Sequence, residues 1–131
     1  MSSWIGRPKL LHQCLDWTSE ADADRVAIAT ADGTTSRRAL RAMAEAVAAR
    51  LAAAGLQAGD RVAVLAGKTP DALAAFLGAS WTGVVYVPLD ARAEPVYWRT
   101  VMSDLGVRAL LTDREVDTAA VSPVQVLKFS E

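Results

Sequence analysis

The sequence predicts an α/β fold, a mostly parallel sheet with flanking helices and an N-terminal β-hairpin. Three observations carry this. Strand-like and helix-like segments alternate β-α-β-α-β from Arg61 to Leu111, the pattern of right-handed crossovers around a parallel sheet. The run after Arg61 is continuously apolar, as a strand buried on both faces must be. Asp32-Gly33 separates two short β-branched segments, a tight-hairpin signal.

Each element follows from local chemistry. Leu10, Leu11, Cys14, Leu15 and Trp17 approach helical spacing and predict a short helix over 10–17, with an acidic loop Glu20–Asp24 after it. Val26–Thr30 is a strand, and Thr34 and Thr35 begin its return. The Ser36 hydroxyl can accept a free N–H of the next helix's first turn. Leu40, Met43, Ala44, Val47, Leu51 and Ala54 then form one buried stripe, with Arg37, Arg38, Arg41, Glu45 and Arg50 mostly off it. Gly55 stops that helix. Arg61–Ala66 is the continuous strand. Thr69-Pro70-Asp71 combines a cap, a proline at the first position and an acid in the first turn, opening a helix whose predicted apolar face is Leu73, Phe76, Leu77 and Trp81. Gly83 ends it, Val84–Val87 is a strand, and Pro88 stops that. Pro95 opens a helix to Leu105, Val107–Leu111 and Val124–Phe129 are strands, and the loop Thr112–Pro123 is the least constrained piece.

The 131 residues are read as a single α/β domain, 1–131. A chain of this size buries roughly two-thirds of its unfolded surface. The composition is 52% hydrophobic and 22% charged with a net charge of −1, so no strong field attracts nucleic acid or an anionic membrane. The single cysteine, Cys14, excludes an internal disulfide and cannot form a metal site alone. With no good signal peptide and no run approaching a membrane span, a cytoplasmic location is expected.

Two segments carry a resemblance. Gly55-Leu56-Gln57-Ala58-Gly59-Asp60-Arg61-Val62-Ala63-Val64 matches a G-L-x-x-G-D-R-V-A-V pattern, and Gly83-Val84-Val85-Tyr86-Val87-Pro88-Leu89-Asp90 matches G-A-x-Y-V-P-L-D. In this order and spacing they resemble the N-terminal part of the adenylate-forming (AMP-binding) superfamily, which includes acyl-CoA synthetases, luciferases and the adenylation domains of nonribosomal peptide synthetases. The resemblance covers roughly Leu10 to Leu111. Thr34–Leu40 stands where the family has T-Y-x-E-L, without its Tyr and Glu, and Ala93–Trp98 departs from Y-P-x-E-R-L. The Tyr86–Asp90 wording leans toward the peptide-synthetase branch. The resemblance implies a parent chemistry in which a carboxylic acid and ATP give an acyl-adenylate and pyrophosphate, with Mg²⁺.

The same resemblance places the family's Ser/Thr/Gly-rich ATP loop, ribose-binding Asp and catalytic Lys downstream of the segments matched here. The glycines at 55, 59, 67, 78, 83 and 106 never cluster into a phosphate cradle, and Gly67-Lys68-Thr69 lacks the earlier glycine of a P-loop. No catalytic, cofactor-binding or metal residue is therefore assigned, and no cofactor is expected for this chain alone, ATP and Mg²⁺ being implied for the complete enzyme. The expectation is a truncated or split part of an ATP-dependent carboxylate-adenylating enzyme that needs a complementary chain. The alternative is a non-catalytic protein-binding module derived from such a domain. Whether the chain is itself an enzyme stays open.

Other candidates have simpler readings. His12 and Cys14, two apart on a helix, face different directions and suit no nucleophile pair. Asp22, Asp24, Asp32 and Asp60 suit turns better than a metal site. Arg37, Arg38 and Arg41 at a helix start could hold an anion, though a solvated basic face explains them as well. Asp60 is expected to pair with Arg61 or cap a turn, and Asp90 to cap the turn after it. Trp81, Tyr86, Tyr97 and Trp98 are the candidate interface residues, because aromatics of a partial domain can lie on a surface meant to be covered. A protein partner is expected, with no nucleic acid and no membrane.

Overall fold

The structure, a computed structural model, describes residues 10–130. It opens with a 3-10 helix, Leu11–Leu15, where the sequence predicts a longer helical turn. The expected acidic loop is instead a one-turn helix, α1 (Glu20–Ala23). The Ser19 hydroxyl accepts the Asp22 N–H at 3.2 Å, and Glu20 and Asp22 in the first turn suit the positive helix end. Strands β1 (Val26–Thr30) and β2 (Gly33–Ser36) form the antiparallel hairpin. Helix α2 (Arg37–Ala53) follows, capped by Ser36, whose hydroxyl accepts the Ala39 N–H at 3.1 Å. Leu40, Ala44, Val47 and Leu51 are buried along its predicted stripe.

The second part is β3 (Arg61–Leu65), α3 (Pro70–Thr82), β4 (Val85–Pro88), α4 (Pro95–Asp104), β5 (Ala109–Thr112), α5 (Thr118–Val121) and β6 (Gln125–Lys128). The four strands form one parallel sheet in the order β4-β3-β5-β6. Chain order moves from β3 outward to β4, then back across to β5, so the direction of winding reverses between β3 and β5. Val62 to Leu65 are all buried, as a central strand requires. The loop over 112–123 contains α5, capped by the Asp117 carboxylate on the Ala119 N–H at 2.9 Å.

Two cores flank the sheet. On one face, Val62, Val64, Ala109 and Leu111 pack with α2, α3 and Leu15 of the 3-10 helix. On the other, Ala63, Leu65, Val87 and Leu110 pack with Met102 of α4 and Val121 of α5. Strict alternation along β3 thus feeds two separate cores.

Helix α3 corrects the sequence reading. Its buried residues are Ala74, Ala75, Leu77, Gly78 and Ala79, whereas Leu73 and Phe76 are both 39% exposed and Trp81 is only half-buried. The reason is close approach. A Cβ placed on Gly78 would lie 2.7 Å from the Ala44 carbonyl oxygen and 2.8 Å from Val47 Cβ, so only small residues fit where α2 and α3 touch. The bulky residues are displaced to the flanks. Helix α3 ends on Gly83 in the left-handed region, φ 75°, a backbone position that glycine adopts without a Cβ penalty.

Candidate functional site

In an open α/β sheet, ligands bind outside the carboxyl ends of the strands where the winding reverses. Here that crevice lies between the ends of β3 and β5, at Ala66-Gly67 and Thr112-Asp113. It is closed by the chain's own groups. The Gly67 N–H donates to the Asp113 carboxylate at 2.8 Å, and the buried Thr112 hydroxyl donates to the Leu65 carbonyl at 2.8 Å. A hollow of about 250 Å³ beside it is lined by Asp71, Asp113, Glu115 and Lys128 among others. Lys128 is engaged there by Glu115 at 2.9 Å and by the Arg114 carbonyl. Asp113 also pairs with Arg114 at 2.9 Å.

This arrangement does not fit a nucleotide phosphate. The backbone N–H that would greet an anion already holds a carboxylate, and the Lys128 ammonium beside it is taken by Glu115 and the Arg114 carbonyl. Thr69 is committed as a helix cap, accepting the Ala72 N–H at 3.4 Å, so Gly67-Lys68-Thr69 works as a strand-to-helix connection. Among the described residues, no group of His, Cys, Asp and Glu is placed to hold a metal ion.

The basic cluster at the start of α2 is neutralised from within. Arg37 pairs with Asp22 at 2.9 Å, Arg38 with Asp24 at 3.0 Å and with Glu20, and Arg41 with Glu45 at 3.0 Å and Asp16 at 3.3 Å. The carboxylates of α1 occupy the place an external anion would take. Asp60 caps the turn before β3, accepting the Gln57 N–H at 2.7 Å, and pairs with Arg108 at 2.9 Å, with Arg61 only a more distant charge. Those bonds hold its carboxyl below the usual carboxylate range, the Gln57 N–H contributing most. Asp90 caps its own turn by accepting the Arg92 N–H at 2.9 Å.

The four aromatic candidates divide between the two sides of the sheet. Trp81 stacks on His12 with ring centres 4.8 Å apart, and the Arg41 guanidinium sits 5.4 Å from its ring. His12 Nδ1 also lies 3.1 Å from the Ser80 hydroxyl. Tyr86 meets Phe76 edge-on at 5.2 Å, and partial burial raises its phenol pKa. On the opposite side, the Trp98 Nε1–H donates to the Asp90 carbonyl at 2.8 Å and its ring packs on the second core. Tyr97 is 52% exposed beside Val96 at 61%. The structure therefore does not bring the four together. Sequence reasoning missed Asp113, whose partner lies 46 residues away and leaves no local signal.

The unit is a doubly wound α/β fold whose crevice is filled by the chain's own groups. The model for AMP-binding enzymes matches residues 15–130, and the chain belongs to that family. It is 43% identical over 79 residues to phenyloxazoline synthase MbtB of Mycobacterium tuberculosis, covering 60% of this chain and 6% of that protein. Among solved structures it superimposes on the NpsA N-terminal subdomain of Klebsiella oxytoca, bound to 3-hydroxybenzoyl-AMSN, with a TM-score of 0.78 and 29% identity over 93% of this chain and 30% of that one. It also matches O-succinylbenzoate coenzyme A synthetase of Bacillus subtilis, in complex with ATP and magnesium ion, with a TM-score of 0.75 and 25% identity over 81% of this chain and 29% of that one. The chain spans 4% and 6% of the first curated relatives it matches. No helix of the described residues is long and apolar enough to cross a membrane.

Proposed function

We propose that this chain supplies the N-terminal part of the sheet of an ATP-dependent carboxylate-adenylating enzyme, and that the nucleotide grip and catalytic lysine come from further polypeptide. The observation that carries this is the crevice between β3 and β5. The N-terminal part of the family scaffold is present, yet its own Asp113 occupies the anion position, so the ATP and Mg²⁺ of the complete enzyme are held elsewhere. This chain's contribution is positional: it fixes the strand ends and the α2–α3 layer against which the rest of the fold is built. The reaction proposed for the assembled enzyme is formation of an acyl- or aminoacyl-adenylate with release of pyrophosphate.

The second reading, a non-catalytic protein-binding module, draws on the exposed Val96 and Tyr97 of α4. Under either reading the partner is a protein, and Tyr97 is the aromatic candidate most available to it. The test is purification of the tagged chain from its native cell, followed by ATP–pyrophosphate exchange. Exchange in the mixture, absent from the chain alone, with a partner carrying a Ser/Thr/Gly-rich loop supports the first reading. A partner without that loop, and no exchange, favours the second. Exchange by the chain alone would overturn both.

A further inference from the structure

Among the described residues the sheet has two open edges, β4 and β6, and they are not equivalent. In a parallel ladder, alternate residues turn their N–H and C=O groups toward the neighbour and the others turn away. On β4, the Val85 N–H donates to the Asp60 carbonyl at 2.7 Å and the Leu89 N–H to Val64 at 2.9 Å, so Tyr86 and Pro88 face outward. Pro88 has no N–H, and the outward ladder ends after one residue. On β6, the Gln125 N–H donates to the Arg108 carbonyl at 3.3 Å, so Val126 and Lys128 face outward, and both carry an N–H. The Lys128 carbonyl accepts from Arg50, leaving the Val126 N–H and C=O and the Lys128 N–H along the open edge.

The side chains around β6 match. Val126, Leu127 and Phe129 are each only half-buried. On one side of the edge, Leu127 and Lys128 adjoin Ala46, Ala49, Arg50 and Ala53 of α2 in a shallow groove. On the other, Val126 and Val124 pack only partly against the second core. We propose that β6 is a strand-docking edge, taking an extended segment of the polypeptide that completes the adenylation fold. Its backbone would pair with Val126 and Lys128. Its alternate side chains would cover the alanine surface of α2 and the Val124–Val126 surface. The occupant follows from the comparison with NpsA: 93% of this chain corresponds to 30% of that one, so most of the related fold is further polypeptide. Backbone donors and acceptors at strand spacing select an extended peptide over a small ligand. The inference rests on the split-enzyme reading above and adds where the completing segment joins.

Amide hydrogen exchange read by NMR tests it, using the chain alone and in complex with the loop-bearing partner recovered from the native cell. In the chain alone, the Val126 and Lys128 amides should exchange quickly while Gln125 and Leu127 stay protected. In the complex, Val126 and Lys128 should slow by roughly tenfold or more, with Tyr86 unchanged. Val126→Pro removes the outward N–H without taking a donor from the β5–β6 ladder and should weaken partner binding by roughly tenfold, while Val126→Ala, which trims the side chain and keeps the N–H, separates the loss of packing; circular dichroism checks that both fold. If the partner binds and restores exchange of pyrophosphate while Val126 and Lys128 stay fast, the docking edge is wrong and the split-enzyme reading stands. If no such partner binds, both fail. Protection that rises with concentration of the chain alone would assign the edge to a second copy and overturn the proposal.

Discussion

Replacing Gly78 by alanine tests the contact that sets α3 against α2. The added methyl would lie 2.7 Å from the Ala44 carbonyl oxygen and 2.8 Å from Cβ and Cγ1 of Val47. A backbone carbonyl cannot rotate aside, so the two helices must separate. Overpacking costs about 1–3 kcal/mol, and a backbone partner places this site in the upper half of that range. Alanine in a helix interior recovers about 1 kcal/mol relative to glycine. The net loss should therefore be about 1–2 kcal/mol. Unfolding entropy is about 2.1 cal/mol/K per residue, so a chain of 131 residues should lose about 4–7 °C in Tm. Far-UV circular dichroism on heating and in urea measures this. Gly78→Val should move further in the same direction. An unchanged or raised Tm for Gly78→Ala would refute the reasoning, because helix propensity would then outweigh a contact that is not tight.

Three further substitutions read separate parts of the structure. Thr69→Ala removes the side-chain cap of α3 and should cost about 1 kcal/mol in a urea titration. Trp98→Phe removes the donor to the Asp90 carbonyl and should destabilise by about 1 kcal/mol, with faster exchange around the turn that follows β4. Asp60→Asn tests the depressed carboxyl. Because its folded pKa lies below the unfolded value, its contribution is fully present above that unfolded value and is lost as pH falls through the folded one. The parent should therefore exceed Asp60→Asn in urea midpoint at neutral pH, with the gap closing as the acid range is entered; a gap that widens on acidification would contradict the assignment.

The sequence was most legible where one residue type can satisfy one local need. Ser36, Thr69 and Gly83 mark helix ends because a cap needs a short acceptor and a left-handed stop needs no Cβ. The α2 stripe was legible because its large residues face the core. Helix α3 was not, because its contact with α2 is built from alanines and Gly78, and a reading that follows bulk picks Leu73 and Phe76 instead. Helix α1 escaped notice because one turn has no periodicity to detect. The pairing of α1 carboxylates with Arg37 and Arg38, and of Asp113 with Gly67, joins residues far apart in the chain. No local pattern encodes such pairs. The resemblance carried by Gly55–Val64 and Gly83–Asp90 identified the family because these segments build β3 and β4 and the loops that lead into them, the central frame of the sheet.

That frame also explains why removing Asp113 alone should not create a nucleotide site. Asp113→Ala would free one N–H, at Gly67, and leave the Asp71 and Glu115 carboxylates beside it. A phosphate cradle needs several N–H groups converging on one point, and the sequence offers no second glycine near Gly67 to turn the backbone toward it. One donor cannot cradle a phosphate, and Lys128 in the same hollow is already held by Glu115 and the Arg114 carbonyl. Calorimetric titration of ATP into Asp113→Ala should accordingly give no binding heat, as with the parent chain. Heat of binding by the variant alone would mean that Asp113 was a gate over a formed site, and the scaffold reading of this crevice would fall.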